Sequence, residues 1–184
     1  DMAKTGLGGR PELDGAYALS PAWTLGGNIA FSQNKIKEFT EYIDDYSVEE
    51  FQQETFTYSN TDIAFSPNVV GSAIIEFKPS KNLSLNWLSK YVGRQFLDNT
   101  SNDARSLDAF FTNDLRISYS ATPRFFKGLE VNLLINNIFN ELYEPNGYTF
   151  SYFVPGDTGR ELITENFYYP QAGTNFLLGL RMKF

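Results

Sequence analysis

The 184-residue sequence predicts an all-β protein, an antiparallel sheet of about seven strands that crosses a lipid bilayer as a segment of a transmembrane β-barrel. Three observations lead there. Apolar and polar residues alternate with period two in one segment after another, the connections between those segments alternate between short and long, and aromatic side chains gather in two belts at the segment ends.

The first strand sets Leu13, Gly15, Tyr17 and Leu19 against Glu12, Asp14, Ala16 and Ala18. After a Ser20-Pro21-Ala22 turn, Trp23, Leu25, Gly27, Ile29 and Phe31 oppose Thr24, Gly26, Asn28, Ala30 and Ser32. A third strand, the least regular, opposes Val69, Gly71, Ala73, Ile75 and Phe77 to Val70, Ser72, Ile74, Glu76 and Lys78. Pro79-Ser80-Lys81-Asn82 then reads as a compact turn, because Pro presets its φ and Asn tolerates the left-handed corner. In the fourth strand Leu83, Leu85, Trp87 and Tyr91 face away from Ser84, Asn86, Lys90 and Arg94. The fifth opposes Phe111, Leu115, Ile117 and Tyr119 to Thr112, Asp114, Arg116, Ser118 and Ser120. The sixth opposes Leu129, Val131, Leu133, Ile135 and Phe139 to Glu130, Asn132, Asn136 and Asn140. The last, over 174–184, carries Thr174, Phe176, Leu178, Leu180, Met182 and Phe184 on one parity.

Short turns follow the first, third and fifth strands, whereas the second, fourth and sixth are followed by linker-like loops of roughly 33, 11 and 30 residues, the asymmetry of outer-membrane barrels. The short turns are assigned to the periplasm and the long loops to the outside. Tyr17, Trp23, Phe77, Tyr119 and Phe184 cluster near the short turns, and Phe31, Tyr91, Phe96, Phe139 and Tyr143 near the long loops. A soluble sandwich or lipocalin-like barrel would also alternate, but two aromatic belts are the expected interfacial girdles of a membrane barrel. Bacterial single-chain barrels have even strand numbers, and an open edge in lipid leaves backbone groups unpaired. Residues 1–184 therefore read as one portion of a larger barrel, without an internal domain boundary. Residues 1–11 are too short and Gly-rich to supply an eighth wall strand, and Gly6 to Gly9 belong to a further loop.

Composition narrows the function. The chain is 42% hydrophobic and 16% aromatic with a mean hydropathy of -0.32, yet no run approaches the roughly 18 apolar residues of a spanning helix. Absence of Cys and His removes disulfides, thiolate and imidazole metal sites and the usual nucleophile–base pairs, so neither a catalytic residue nor a cofactor nor a metal site is expected and an enzyme is disfavoured. With 15 basic and 22 acidic residues the net charge is -7, the wrong sign for nucleic acid. Residues 1–10 carry no basic stretch followed by an apolar one, so the chain is expected to be mature or part of something longer.

With Gly179, Met182 and a final Phe184 on or beside the apolar parity, the terminus resembles the C-terminal insertion signal of bacterial outer-membrane barrels. Residues 134–143, LINNIFNELY, resemble the NLFD-x-x-Y stretch of the penultimate strand in TonB-dependent outer-membrane receptors, and 168–176, YYPQAGTNF, followed by Gly179, resembles the start of their final strand. Ala172, Thr174 and Asn140 stand where that family commonly has Pro, Arg and Asp. The resemblance implies the last seven strands of a 22-stranded barrel with an N-terminal plug in its lumen, energised through TonB, neither plug nor TonB box lying within this chain. It also implies import of a scarce ligand, most often a ferric siderophore and otherwise cobalamin, haem or an oligosaccharide. A small structural barrel, a passive porin and a barrel enzyme are the alternatives.

Candidate ligand-facing residues come from the long loops. The first holds Glu38, Glu41, Asp44, Asp45, Glu49, Glu50, Glu54 and Asp62 interleaved with Phe39, Tyr42, Tyr46, Phe51, Phe56 and Tyr58; an acidic solvated loop is the plainer reading, and a cationic or metal-chelated ligand suits its charge better than an anion. The last offers Tyr148, Phe150, Tyr152, Phe153, Arg160, Tyr168 and Tyr169, where aromatics with an Arg can stack flat chelates or sugars or pack the loop onto its neighbours. Tyr46, Phe51, Tyr58, Arg105, Tyr148, Tyr152 and Arg160 are the ligand-facing candidates. Asp98, Asn99, Asn102 and Asp103 have calcium-like spacing without the Gly and Glu of a hand loop, which favours a polar turn. Lys90, Arg94, Asp114, Arg116, Glu130 and Arg181 are expected to point into the lumen toward a plug or a hydrated wall.

Overall fold

A computed structural model describes residues 3–4, 7–125 and 127–184, with side chains from residue 9 onward, and it is all β. In chain order, β1 (Ala3–Lys4) and β2 (Leu7–Gly9) lead into β3 (Glu12–Ser20), β4 (Trp23–Phe31), β5 (Gln33–Asp45), β6 (Gln52–Asp62), β7 (Val69–Ser80) and β8 (Leu83–Val92). There follow β9 (Gln95–Phe96), β10 (Ser106–Leu107), β11 (Phe110–Ala121), β12 (Gly128–Asn136), β13 (Asn146–Gly156), β14 (Gly159–Tyr169) and β15 (Asn175–Lys183). Seven of them form one antiparallel sheet in the order β15-β12-β11-β8-β7-β4-β3. These are the seven strands expected, joined as nearest neighbours in chain order, with β3 and β15 at the open edges.

Register decides how the faces are composed. One cross-strand row reads Tyr17, Leu25, Ile75, Trp87, Leu115, Ile135 and Phe176, and the next includes Phe77, Leu85, Ile117, Leu133 and Leu178. A neighbouring row of the other parity reads Asp14, Asn28, Ser72, Lys90 and Thr112. Because a slip of one residue would swap the faces of a strand, this agreement across seven strands makes one continuous apolar face and one mainly polar face. Among the described residues no second sheet packs on the apolar one: Leu13, Tyr17, Phe111, Phe176 and Leu178 are between 52% and 78% exposed. A soluble sandwich would bury these side chains in a dry centre.

The two polar residues that break the apolar parity are satisfied locally. Ser89 donates to Asn113 Oδ1 at 2.7 Å, the Trp87 indole N–H reaches both at 3.1 Å, and Phe139 packs on Trp87.

The short-turn end is tighter than expected. Pro79 and Ser80 belong to β7 rather than to a turn: a register shift between Phe77 and Ser80 absorbs the extra residue, leaving Lys81 and Asn82 as the connection. A like shift between Ala18 and Ser20 leaves Pro21 and Ala22. Trp23 stacks on Phe77 at 4.2 Å at this rim.

The long connections are not irregular loops. The first is the β5–β6 hairpin, the second contains the β9–β10 pair, and the third is the β13–β14 hairpin. β5 also pairs with β1 and β2 and, in parallel, with β13, so these segments knit into a second sheet that caps one end of the wall. Residues 3–4 and 7–9 thus form cap strands and not an eighth wall strand.

The core lies under this cap. Ala30, Val92 and Phe110, on the polar parity at the top of the wall, are buried together with Ile36, Ile43, Leu97, Leu107 and Phe153 of the cap. Tyr143 stacks on Phe110 at 4.3 Å, which places it on the inner side and corrects its assignment to the outer belt. β8 stops before Arg94 and β12 before Phe139, earlier than the alternation suggested, since the chain turns into the cap there.

Candidate functional site

The NNIFN stretch makes a latch between β12 and β15. Asn137 and Asn140 adopt positive φ of 49° and 54°, which Asn tolerates better than most residues. Buried Asn137 receives the Glu141 N–H on Oδ1 at 2.9 Å and donates to the Glu141 carbonyl at 2.8 Å, while its own N–H reaches Asp114 Oδ1 at 2.7 Å. The Thr174 hydroxyl donates to the Asn137 carbonyl at 2.7 Å, and Asn140 Oδ1 accepts the Thr174 N–H at 3.1 Å. A Cβ at Gly173 would run into Asn140 Oδ1, so any larger residue there must displace that side chain from its place over the turn. The two segments that carry the family resemblance are therefore one hydrogen-bonded unit.

A cavity of about 620 Å³ opens in the cap between β5, the 98–105 segment, β13 and β14. Its floor is built by short polar turns. Asp98 Oδ1 accepts the Thr100 N–H at 2.9 Å and hydroxyl at 2.6 Å, Asn102 Oδ1 accepts the Ala104 N–H, and Ser101 takes a positive φ of 58°. These turns fold the segment back so that the Leu97 N–H reaches the Arg105 carbonyl at 2.9 Å, and Arg105 ends up 4% exposed. Asn99 Oδ1 accepts the Ala64 N–H and Asp103 pairs with Arg94. The four oxygen-bearing residues with calcium-like spacing are thus drawn into separate contacts.

Arg105 organises the cavity. Its Nη1 donates to Glu41 Oε1 at 2.6 Å and Asp98 Oδ2 at 2.8 Å, and its Nη2 to Ser151 Oγ at 2.6 Å. Burial works against its charge, but the two carboxylates outweigh it and hold the guanidinium pKa above the usual value. Tyr58 donates to Glu41 Oε2 at 2.9 Å, and burial together with that carboxylate pushes its phenol up to about 12. Arg105 Nε and Thr149 Oγ1 are buried without a hydrogen-bond partner among the described residues, each at a cost of about 1–3 kcal/mol unless something else satisfies it.

Of the ligand-facing candidates, Tyr46, Arg105 and Tyr152 line the cavity, and Tyr58 backs it through Glu41. Tyr46 and Tyr152 hydroxyls donate to Asp44 at 3.2 Å and Glu165 at 2.7 Å, bonds that raise both phenol pKa values. Tyr148 lies just outside the lining, stacked on Phe167 at 4.8 Å and 9° and aligned with Phe150 in a run of near-parallel rings. Phe51 sits past the tip of the β5–β6 hairpin, 71% exposed and away from the cavity.

Arg160 is a clasp: it pairs with Asp45 and Glu54, each at 2.8 Å, and covers the Phe153 ring at 4.3 Å, tying the β13–β14 hairpin to β5 and β6. Ser47 donors, more than Arg160, hold the Asp45 carboxyl below its usual pKa. Glu165, Ser151 and Thr149 were missed by the sequence reading. Their only signal is the alternation within β13 and β14, which becomes readable once the hairpin is known.

The inward candidates lie on the polar parity. Lys90 is opposite Ser72 and Thr112, Arg116 opposite Asn86 and Leu134, and Glu130 opposite Ser120 and Arg181, 3.5 Å from the Arg181 guanidinium. Asp114 holds the latch, whereas Arg94 lies beyond β8 and sits over Phe96 at 4.9 Å. Midway along β15 Gly179 is opposite Asn132 on the polar face, and at the other rim Met182 is opposite Leu129 on the apolar one, where Phe184 follows, 78% exposed.

Comparison with solved structures places this architecture. The chain superposes on the siderophore receptor PiuA of Acinetobacter baumannii with a TM-score of 0.66 over 95% of its length at 11% identity. On the ferric yersiniabactin uptake receptor FyuA of Yersinia pestis the values are 0.67, 99% and 14%. The E. coli K12 ferric-catecholate import receptor Fiu gives 0.50 over 93% at 12% identity. The fold is shared with part of each of these receptors. Seven antiparallel strands with an uncovered apolar face and a hairpin cap correspond to part of such a transmembrane barrel, the chain spanning 21%, 24% and 30% of those three proteins. No protein-family model matches the sequence, and no curated protein matches it.

Proposed function

We propose that this chain is the C-terminal part of the barrel of a TonB-dependent outer-membrane receptor that imports a scarce ligand, a ferric siderophore before cobalamin, haem or an oligosaccharide. The observation that carries the reading is the sheet itself: an apolar face, broken only by the Ser89–Asn113 pair, that no second sheet covers among the described residues, a mainly polar face opposite, and a ligand-sized cavity at the long-connection end. The open edges of β3 and β15 support the same conclusion, because unpaired backbone groups facing hydrocarbon cost several kcal/mol each and further strands must cover them. Partners are outer-membrane lipid, the rest of the barrel, a plug resting on the polar face, the TonB complex acting through that plug, and a small-molecule ligand. The chain catalyses no reaction; its part is to form the wall, shape the loops that capture ligand, and offer Lys90, Arg116, Glu130 and Arg181 to the plug.

The test is growth and transport. A strain deleted for the complete gene, supplied in turn with ferric chelates, cobalamin, haem and glycans as limiting nutrient, should fail on one of them and recover with the gene restored. Normal growth and unchanged uptake on every source would refute import. A heat-modifiable, detergent-extracted band in the outer-membrane fraction checks the location separately.

A further inference from the structure

The cap cavity has a charge pattern that bears on its ligand. Its lining contains the carboxylates of Glu41, Asp44, Asp98 and Glu165 against the single guanidinium of Arg105. Arg105 is engaged by Glu41 and Asp98. Asp44 is met by neutral donors, the Tyr46 hydroxyl at 3.2 Å and the Gln53 amide at 2.7 Å, and Glu165 by the Tyr152 hydroxyl at 2.7 Å. Phenol and amide donors solvate a carboxylate without cancelling its charge. Among the described residues no cation pairs with Asp44 or Glu165, which lie at the cavity wall beside aromatic surface from Phe39, Tyr42 and Phe150.

A second observation is independent of those charges. Arg105, 4% exposed, and Thr149 both line this cavity, and among the described residues the Arg105 Nε–H has no acceptor and buried Thr149 Oγ1 no partner. Native proteins seldom leave such groups unsatisfied except where a ligand, ion or water completes them. The wall thus combines two carboxylates that no described cation pairs with and, just behind its surface, a donor without an acceptor.

We infer that the cavity takes an organic cation, an oxygen-rich chelate carrying a protonated amine, with Asp44 and Glu165 as its counter-charges, and that it turns away polyanionic chelates. The inference rests on the receptor reading above and narrows it. Contact distances inside the cavity are under the roughly 8 Å screening length of physiological salt, so salt weakens the field of the carboxylates on a bound ligand without erasing it. A trianionic complex meets repulsion there, and an ammonium meets attraction. The phenols, whose ordinary pKa already lies well above neutral and is raised further by their carboxylate partners, are protonated donors across the neutral range.

The experiment measures binding to the complete receptor in detergent by calorimetry. Three ferric probes are used: a trihydroxamate with a free ammonium group, the same chelate with that amine acetylated, and a trianionic tris-catecholate. The ammonium form should bind about tenfold tighter than the acetylated form, a difference of about 1.4 kcal/mol, with the tris-catecholate weakest. The double variant Asp44→Asn, Glu165→Gln should abolish the preference while leaving the acetylated chelate's affinity within about twofold, which also reports that the cap is intact. Equal binding of the first two probes, tightest binding of the tris-catecholate, or a preference that survives the double variant would overturn the inference and leave the receptor reading standing. Absence of binding by all three would overturn the inference and the siderophore reading together.

Discussion

Ile74 and Ile75 are neighbours on β7, 41% and 40% exposed, and they differ only in the face they occupy. Ile75 lies in the apolar row with Leu25 and Trp87, and Ile74 in the row with Gly26 and Leu88. Replacing each by Arg separates a membrane wall from a soluble sheet, because exposure cannot distinguish the two sites. Same-face residues are about 6.8 Å apart along a strand, or about 5 Å along the bilayer normal at the usual tilt. From Phe77 at the aromatic rim to Val69 is four such steps on β7, about 20 Å and close to the ~25 Å apolar band of such barrels. Ile75, one step in from the rim, lies about 5 Å from the band centre. An outward Arg costs about 2–4 kcal/mol at the midplane and about 0–1 at the interface, so Ile75→Arg should cost about 2 kcal/mol, a factor of about 30 in the folded population. Ile74→Arg, facing an aqueous lumen, should cost below about 0.5 kcal/mol. Denaturant titration of the complete barrel in lipid vesicles measures both. Equal costs at the two positions would refute the assignment of faces.

Other expectations follow from the latch and the cap. Gly173→Ala must displace the Asn140 side chain, and with it the Thr174 N–H contact, lowering barrel stability by about 0.5–1.5 kcal/mol in the same titration. Arg105→Met leaves Glu41 and Asp98 without their cation and should destabilise the cap by about 3 kcal/mol, read as faster hydrogen exchange in β5 and β13 with the wall unchanged. Near-UV titration should show a phenol ionising at about 12, missing in Tyr58→Phe. Because that folded pKa is raised, the contribution of Tyr58 is complete below pH ~10 and is lost as pH rises through about 12. For Asp45 the sign is opposite: its lowered pKa stabilises the hairpin clasp above the ordinary carboxylate range and is lost as acid protonates it. Proteolytic nicking of the β13–β14 hairpin should therefore increase at low pH in the wild type and at all pH values in Arg160→Ala.

The seven wall strands were legible because each must answer two solvents at once. A strand between hydrocarbon and an aqueous lumen writes its environment into alternate residues, and that code is local. The cap obeys no such rule. Its hairpins are wetted on several sides, so Thr, Glu, Tyr and Gln follow each other in 52–62 without a sustained apolar parity, and the segment reads as a polar loop. Phe51 and Tyr46 look equivalent in sequence, both aromatic within an acidic stretch, yet one is exposed beyond the hairpin tip and the other lines the cavity. The difference arises from the parallel pairing of Tyr152 and Phe153 with Asp44 and Asp45, a contact between residues more than a hundred positions apart.

The sequence by itself determined the wall: strand number, face composition, the two kinds of connection, and the absence of His and Cys chemistry. Only the tertiary structure decided the site. It turned two of the three presumed loops into one sheet and gave the third a strand pair of its own, closed Arg105 onto Glu41 and Asp98, and set Arg160 as a clasp on Asp45 and Glu54. The physical reason is range: periodicity records what each residue meets beside its own strand, whereas a cavity is made by which distant strands pair, and that depends on registry no single segment encodes.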